Sequence, residues 1–197
     1  MCGESNAMPI LGEPAPDFEA LTTNGMVKLS DFKGKWLVLF SHPADFTPVC
    51  TTEFIAFSAI ADELKSLNVQ LMGLSIDSVH SHLAWIRNVK EKMGVDIPFP
   101  IIADLDMNVA KKYGMIHPGQ SSTAAIRAVF FIDDKGILRA MIYYPLTAGR
   151  YMPEIIRLVK SLQATDKYGV ATPANWQPGD KVVVPAPKNK AEMDKRL

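Results

Sequence analysis

The chain is expected to fold as an α/β domain on a central sheet, and three observations support this. Apolar runs of strand length alternate with segments of helical periodicity, two of those runs flank the hairpin signal Asp133-Asp134-Lys135-Gly136, and no internal repeat interrupts the alternation. Taken in order, Trp36 to Ser41 reads as a strand, because six consecutive residues are apolar or small and rich in β-formers. Phe57, Ile60, Ala61 and Leu64 then share one face of a helix, and Val69 to Ile76 forms the next apolar run. Ser78 supplies an N-cap for a helix whose predicted inner face carries Val79, Leu83 and Ile86. Asp106 to Tyr113 reads as a short helix closed by Gly114. Ala128 to Ile132 and Ile137 to Tyr144 form the hairpin, and Pro153 opens a helix with Ile155, Leu158, Val159 and Leu162 inward. Beyond Lys167, Pro173, Pro178, Pro185 and Pro187 rule out a long regular element. A β-α-β unit followed by a hairpin and a helix is shared by several α/β folds, and element order alone does not choose among them.

At 197 residues and 48% hydrophobic content the chain can bury one full core, so a single domain with an appendage is expected. The assignment is a terminal segment 1–7, a main domain 8–167 and a C-terminal arm 168–197. Twenty-one basic residues balance twenty-one acidic ones, which argues against a phosphate-backbone binder and against a polybasic membrane patch. Neither nucleic acid nor membrane is expected as a partner. Met1 to Ala7 lacks the basic and apolar regions of a signal peptide and reads as a disordered terminus or an expression remnant; a cytoplasmic protein is expected. Only Cys2 and Cys50 are present, too few for a disulfide framework and in keeping with a reducing compartment.

Cys50 carries the chemistry. It follows the Trp36 to Phe40 strand by a short loop, with Thr47 at the N-cap of the next helix and Pro48 at its first position, where a missing N–H costs nothing. The cysteine then falls in the first turn, facing unpaired backbone donors and the positive end of the helix dipole, surroundings that favour the nucleophilic thiolate. The alternative is an inert buried cysteine, a common fate for the residue type; the Thr-Pro pair in front of Cys50 speaks against it.

The string Pro43-x-x-x-Thr47-x-x-Cys50 resembles the active-site motif of the peroxiredoxins, and His42-Pro43-Ala44-Asp45-Phe46-Thr47-Pro48-Val49-Cys50-Thr51-Thr52-Glu53 resembles their one-cysteine subfamily. The similarity runs from Gly12-Glu13-Pro14-Ala15-Pro16-Asp17-Phe18 through Leu74-Ser75-Ile76-Asp77-Ser78, His82-Leu83-Ala84-Trp85 and Tyr144-Pro145 to Val170-Ala171-Thr172-Pro173-Ala174-Asn175-Trp176. It implies a thioredoxin-like fold with an extended C-terminal dimerisation arm, and a thiol-dependent peroxidase acting on hydrogen peroxide and organic hydroperoxides. Cys50 would attack the peroxide and become a sulfenic acid, which an external thiol, thioredoxin, glutathione or another donor, would regenerate. The resemblance gives Thr47 and Arg127 the substrate, Pro43 the shielding of the sulfur, Glu53 and Arg150 a supporting ion pair, and His42 a place near the cysteine. An arginine entering an apolar strand is in any case costly to bury without a partner, and a thiolate is a suitable one. A homodimer is implied, with assembly to a decamer open; the apolar Trp176 and Val182-Val183-Val184 call for cover at about 25 cal/mol per Å² of apolar area.

Several absences narrow the expectation. Thr47 stands where a thioredoxin Cys-x-x-Cys would have its first cysteine, so intramolecular disulfide exchange is not available there. Phe32-Lys33-Gly34-Lys35-Trp36 has no lipase-like serine, and no phospholipase activity is expected. No cofactor is called for. His80 and His82 point to different helix faces, His117 before Pro118 reads as loop, and no metal site is expected. A two-cysteine mechanism, with a resolving cysteine at Cys2 or in a tail beyond Leu197, is the first alternative. A holdase chaperone or redox-signalling partner, drawing on the ten methionines, is the alternative of another class.

Overall fold

A computed structural model describes residues 8–194. The expectation for residues 1–7, and with it any role of Cys2, lies outside the described residues. The chain divides into two compact units, the first ending at Met152 and the second beginning at Pro153.

The first unit is built on a seven-stranded sheet. Its strands are β1 (Glu19–Thr22), β2 (Gly25–Lys28), β3 (Trp36–Ser41), β4 (Val69–Ser75), β5 (Ile101–Ala103), β6 (Arg127–Ile132) and β7 (Leu138–Tyr144), in the spatial order β2-β1-β5-β4-β3-β6-β7. β3 pairs parallel with β4 and antiparallel with β6, so it lies inside the sheet, the fifth of seven strands. That position explains its composition: all six residues from Trp36 to Ser41 are buried, on both faces, and an alternating pattern would have put polar groups into the core. Each large side chain buried here, such as Leu39 or Phe40, contributes about 1.5–3 kcal/mol. The helices are α1 (Pro48–Ser66), α2 (Val79–Met93) and α3 (Asn108–Lys112). α3 is held by the buried Asp104, whose carboxylate accepts the N–H groups of Val109 and Ala110 at 3.0 and 2.7 Å, and the chain leaves it through Gly114 at φ +62°.

The strands and helices expected from periodicity are present, with ends shifted by one or two residues. Two features differ from expectation. The β1–β2 hairpin and the short β5 had no counterpart in the sequence reading, although Asn24-Gly25 is a turn signal and Gly25 sits at φ +100° in the hairpin. The inner face of α2 is also turned. Ser78 caps it as expected, accepting the Ser81 N–H at 3.2 Å, but the buried residues are His82, Trp85 and Val89, while Leu83 is 48% exposed. Burying the indole of Trp85 removes more apolar area than a leucine can, and His82 goes inward because it finds polar partners there.

The second unit comprises the rest of α4 (Met152–Tyr168), a proline-interrupted segment, and the one-turn α5 (Lys190–Asp194). The segment is closed on itself by a bridge in which Ala171 and Val183 exchange two N–H···O bonds of 2.8 Å. Trp176 is buried and donates its indole N–H to the Asp180 carbonyl at 3.2 Å, and Arg157 donates to the Trp176 carbonyl. Val182, Val183 and Val184 remain 42–63% exposed.

Candidate active site

The loop from His42 to Thr47 joins the end of β3 to the start of α1, and Phe46 at its tip takes φ +57°. A left-handed aromatic residue costs on the order of 1–3 kcal/mol, so the turn that brings Thr47 to the helix start is held against strain. Thr47 has the extended backbone of an N-cap and Pro48 is the first helical residue, as the sequence predicts. The cap bond itself is not made. The Thr47 hydroxyl instead donates to the Ala44 carbonyl at 3.0 Å, which leaves its lone pairs free to accept. Pro43 is half-buried in the same loop.

Cys50 lies in the first turn of α1 and is fully buried. The donor aimed at its sulfur is a side chain rather than the first-turn backbone: Arg127 Nη1 lies 3.4 Å from Cys50 Sγ, across 77 residues of sequence. Arg127 is the first residue of β6, and its guanidinium is held by three contacts. Nη1 also donates to Glu53 Oε2 at 2.6 Å, and Nε donates to the Leu146 carbonyl at 2.8 Å beyond β7.

Glu53, one turn along α1 from Cys50, is the hub. Arg150 forms a bidentate pair with it, Nε to Oε1 at 2.8 Å and Nη2 to Oε2 at 2.7 Å, and adds its backbone N–H at 2.9 Å. Burial pushes the Glu53 carboxyl upward, but the charge and hydrogen bonds of Arg150, with Arg127 behind them, hold it below the usual carboxylate range. Arg150 spends its remaining Nη1 donors on the carbonyls of Ser41 and Ala128, at 2.8 and 3.0 Å, and lies over the stacked rings of Phe40 and Phe57 at 5.1 Å from each. Ser41 completes the seam between β3 and β6, donating to the Ile126 carbonyl and accepting the Ala128 N–H. Two guanidiniums and one carboxylate are thus buried with matched partners, and the positive excess faces the sulfur.

The sequence-derived residues Cys50, Thr47, Arg127, Glu53 and Arg150 come together around the N-terminal end of α1. His42, the residue after β3, is buried with its ring edge-on to Phe54, 4.8 Å between centroids, and Phe54 follows Cys50 by four residues on the same face of α1. Its hydrogen bond goes to Asp45, however, with Nε2 and Oδ1 2.9 Å apart. The sequence reading passed over Asp45, Ser41 and His82. His82, set aside as a metal ligand because of its spacing from His80, instead joins His42 and Asp45 in a buried group whose ligand-type atoms lie within 4.8 Å of one another. An acidic residue inside the loop motif was the available signal for Asp45; nothing local pointed to its pairing with His82.

A thiol held in the first turn of a helix after an interior strand of this sheet, with an arginine on its sulfur, defines a thiol-dependent peroxidase of thioredoxin-like fold, and comparison with known proteins agrees. Residues 11–141 match the AhpC/TSA family and residues 161–197 match the C-terminal domain of 1-Cys peroxiredoxin; the chain belongs to the peroxiredoxins. It is 62% identical to a peroxiredoxin of Aquifex aeolicus, covering 97% of this chain and 91% of the relative, and 60% identical to Peroxiredoxin 2 of Caldanaerobacter subterraneus, covering 96% and 86%. Among solved structures, a cysteine-to-serine mutant of Peroxiredoxin 6 of Arenicola marina superposes with a TM-score of 0.87 at 44% identity, covering 96% of this chain and 89% of that one. A yeast mitochondrial 1-Cys peroxiredoxin gives a TM-score of 0.84 at 45% identity, covering 90% and 87%.

Proposed function

We propose that Cys50 is the nucleophile of this peroxidase, with hydrogen peroxide and small organic hydroperoxides as substrates. The sulfur attacks the distal peroxide oxygen, an S–O bond forms as the O–O bond breaks, and the departing oxygen takes a proton and leaves as water or alcohol. The contact that carries the reading is Arg127 Nη1 on Cys50 Sγ, because a buried thiolate needs a fixed positive donor and the same fork can stabilise the leaving oxygen. Thr47, its proton committed to Ala44, accepts the peroxide O–H, while Glu53 and Arg150 keep Arg127 in place and Pro43 screens the sulfur. His42 takes a hydrogen bond from the sulfenic acid left on Cys50. Stopped-flow measurement on Cys50→Ser tests the assignment: fast peroxide consumption should disappear, and its survival would end the reading.

We infer that an external thiol reduces the sulfenic acid, a reading supported by Cys50 being the single cysteine among the described residues. The yeast neighbour described for thiol resolution via glutathione/thioredoxin systems supports that class of donor. Peroxide-treated protein should gain oxygen atoms stepwise on Cys50 in mass spectra; a disulfide between subunits would point to a two-cysteine route instead. The exposed Val182-Val183-Val184 edge, flanked by the self-closed segment, supports a homodimer formed through the C-terminal arm, and sedimentation showing monomers would overturn it. We assign the protein to the cytoplasm on its cysteine usage. Among the described residues no helix is long and apolar enough to cross a membrane.

A further inference from the structure

A second buried polar network adjoins the first. Asp45 accepts His42 Nε2 at 2.9 Å, His82 Nδ1 at 2.8 Å and the Ser81 hydroxyl at 2.8 Å, and its backbone N–H donates to Asp77, which also takes the Ser75 hydroxyl. His82 is anchored from its other side, where Nε2 lies 3.1 Å from the Ile102 carbonyl; a carbonyl only accepts, so that nitrogen carries a proton. Asp45 takes the Ser81 hydroxyl and is held as the ionised carboxylate. Burial acts to raise its pKa, yet the bonds from His42 and His82 hold it far below the usual range.

An ionised carboxylate cannot donate, so the nitrogen of His42 that faces it, Nε2, is the protonated one. Burial keeps the His42 ring neutral by lowering its pKa from the ordinary 6.5, even against the pull of Asp45. In the neutral ring Nδ1 is then bare. Among the described residues that same Nδ1 is the one buried side-chain nitrogen or oxygen without a hydrogen-bond partner. Such an atom is costly to bury, and it is tolerated where a ligand or intermediate comes to satisfy it. The three side chains have the make-up of a metal centre, but each facing N···O pair is already a hydrogen bond of 2.8–3.0 Å and His82 is tied to Ile102, so the group is a hydrogen-bonded relay.

We propose that Asp45, braced by His82, is a positioning residue that locks His42 in its Nε2–H tautomer and so keeps Nδ1 as the acceptor for the hydroxyl formed on Cys50 and for the proton of the thiol that removes it. This rests on the reading of Cys50 as the nucleophile. In the step served, the sulfur of an incoming thiol attacks Cys50–S–OH, an S–S bond forms, the S–O bond breaks, and the thiol proton passes through Nδ1 to the leaving hydroxide, giving a mixed disulfide and water. The incoming thiol is oxidised as the Cys50 sulfur is reduced.

Long-range proton–nitrogen correlation spectra of the full ¹⁵N-labelled chain read the tautomer directly, with His42→Gln and His82→Gln used for assignment. His42 should show a bare Nδ1 and a protonated Nε2; a protonated Nδ1 in the wild type overturns the proposal. Asp45→Asn is isosteric and its amide can donate to Nε2, so the tautomer should reverse and reduction of oxidised Cys50 by dithiothreitol should slow by about 10²–10⁴-fold, the size of a lost acid–base group. An unchanged tautomer, or a reversed tautomer with an unchanged reduction rate, overturns it. If Asp45→Asn does not fold, His82→Gln takes its place: mixed tautomers with a smaller slowing are expected, and a single tautomer with full rate overturns the bracing role. Oxidation of wild-type Cys50 by peroxide, followed in a separate single turnover, fails only if the nucleophile assignment is wrong and leaves the tautomer result standing.

Discussion

The two buried networks beside Cys50 solve the same problem with different groups. Around Glu53, two arginines are joined to one carboxylate, and their charges hold its carboxyl below the usual carboxylate range. Around Asp45, two histidines share one carboxylate, and one ring nitrogen is left without a partner. The first network provides a constant field for a sulfur; the second includes a buried neutral ring whose Nδ1 makes no hydrogen bond. Permanent charge suits the stabilisation of a thiolate, while a titratable ring suits the handling of a proton.

The hardest blow to this contrast is Glu53→Ala. It leaves Arg127 and Arg150 buried without their shared counter-ion, and a loss of about 3–5 kcal/mol in unfolding free energy is expected, read from urea denaturation. A loss under about 1 kcal/mol, the size of an exposed ion pair, would mean that the cluster is open to solvent. Arg127→Lys is gentler on the fold and severe on the reaction. A single ammonium cannot reach Sγ, Glu53 and the Leu146 carbonyl together, so the second-order rate with hydrogen peroxide should fall by about 10²–10³-fold in stopped-flow fluorescence. Equal rates would remove the guanidinium from the chemistry.

The smallest effect separates the networks by pH. His42 has its pKa lowered by burial in the folded state, against Asp45, with His82 and Asp77 also facing it; its contribution to stability is therefore full above the unfolded value of about 6.5 and declines as pH falls below it. Glu53 is also depressed, but from 4.5, so its contribution persists through that range and is lost only on further acidification. Urea midpoints should decline in two stages, the first starting near pH 6.5 and absent in His42→Gln. A single stage below pH 4.5 would show that the histidine network carries no proton linkage.

Local information carried a large part of this. The β3 run, the cap and proline at the start of α1, the placement of Cys50 in its first turn and the β6–β7 turn all follow from residues within a few positions of each other, where propensity and capping act. The β1–β2 hairpin was equally local, and its Asn24-Gly25 signal was there to be read. The face of α2 was not: Val79, Leu83 and Ile86 satisfy helical spacing as well as His82, Trp85 and Val89 do, and periodicity cannot say which stripe meets the sheet.

The long-range partners divide differently. Arg127 and Arg150 were known through family resemblance, since they meet Cys50 and Glu53 from 77 and 97 residues away. The linkage of His42 to Asp45 and His82, with the lone nitrogen it leaves, was visible in neither spacing nor motif. By itself the chain determined where a reactive cysteine would sit and which segments would be strands or helices, because those depend on short-range sterics and capping. Tertiary structure alone decided which charges meet around that cysteine, because burial makes an unpaired ion so costly that partners from β6, α2 and the turn after β7 must be brought to it across the sheet.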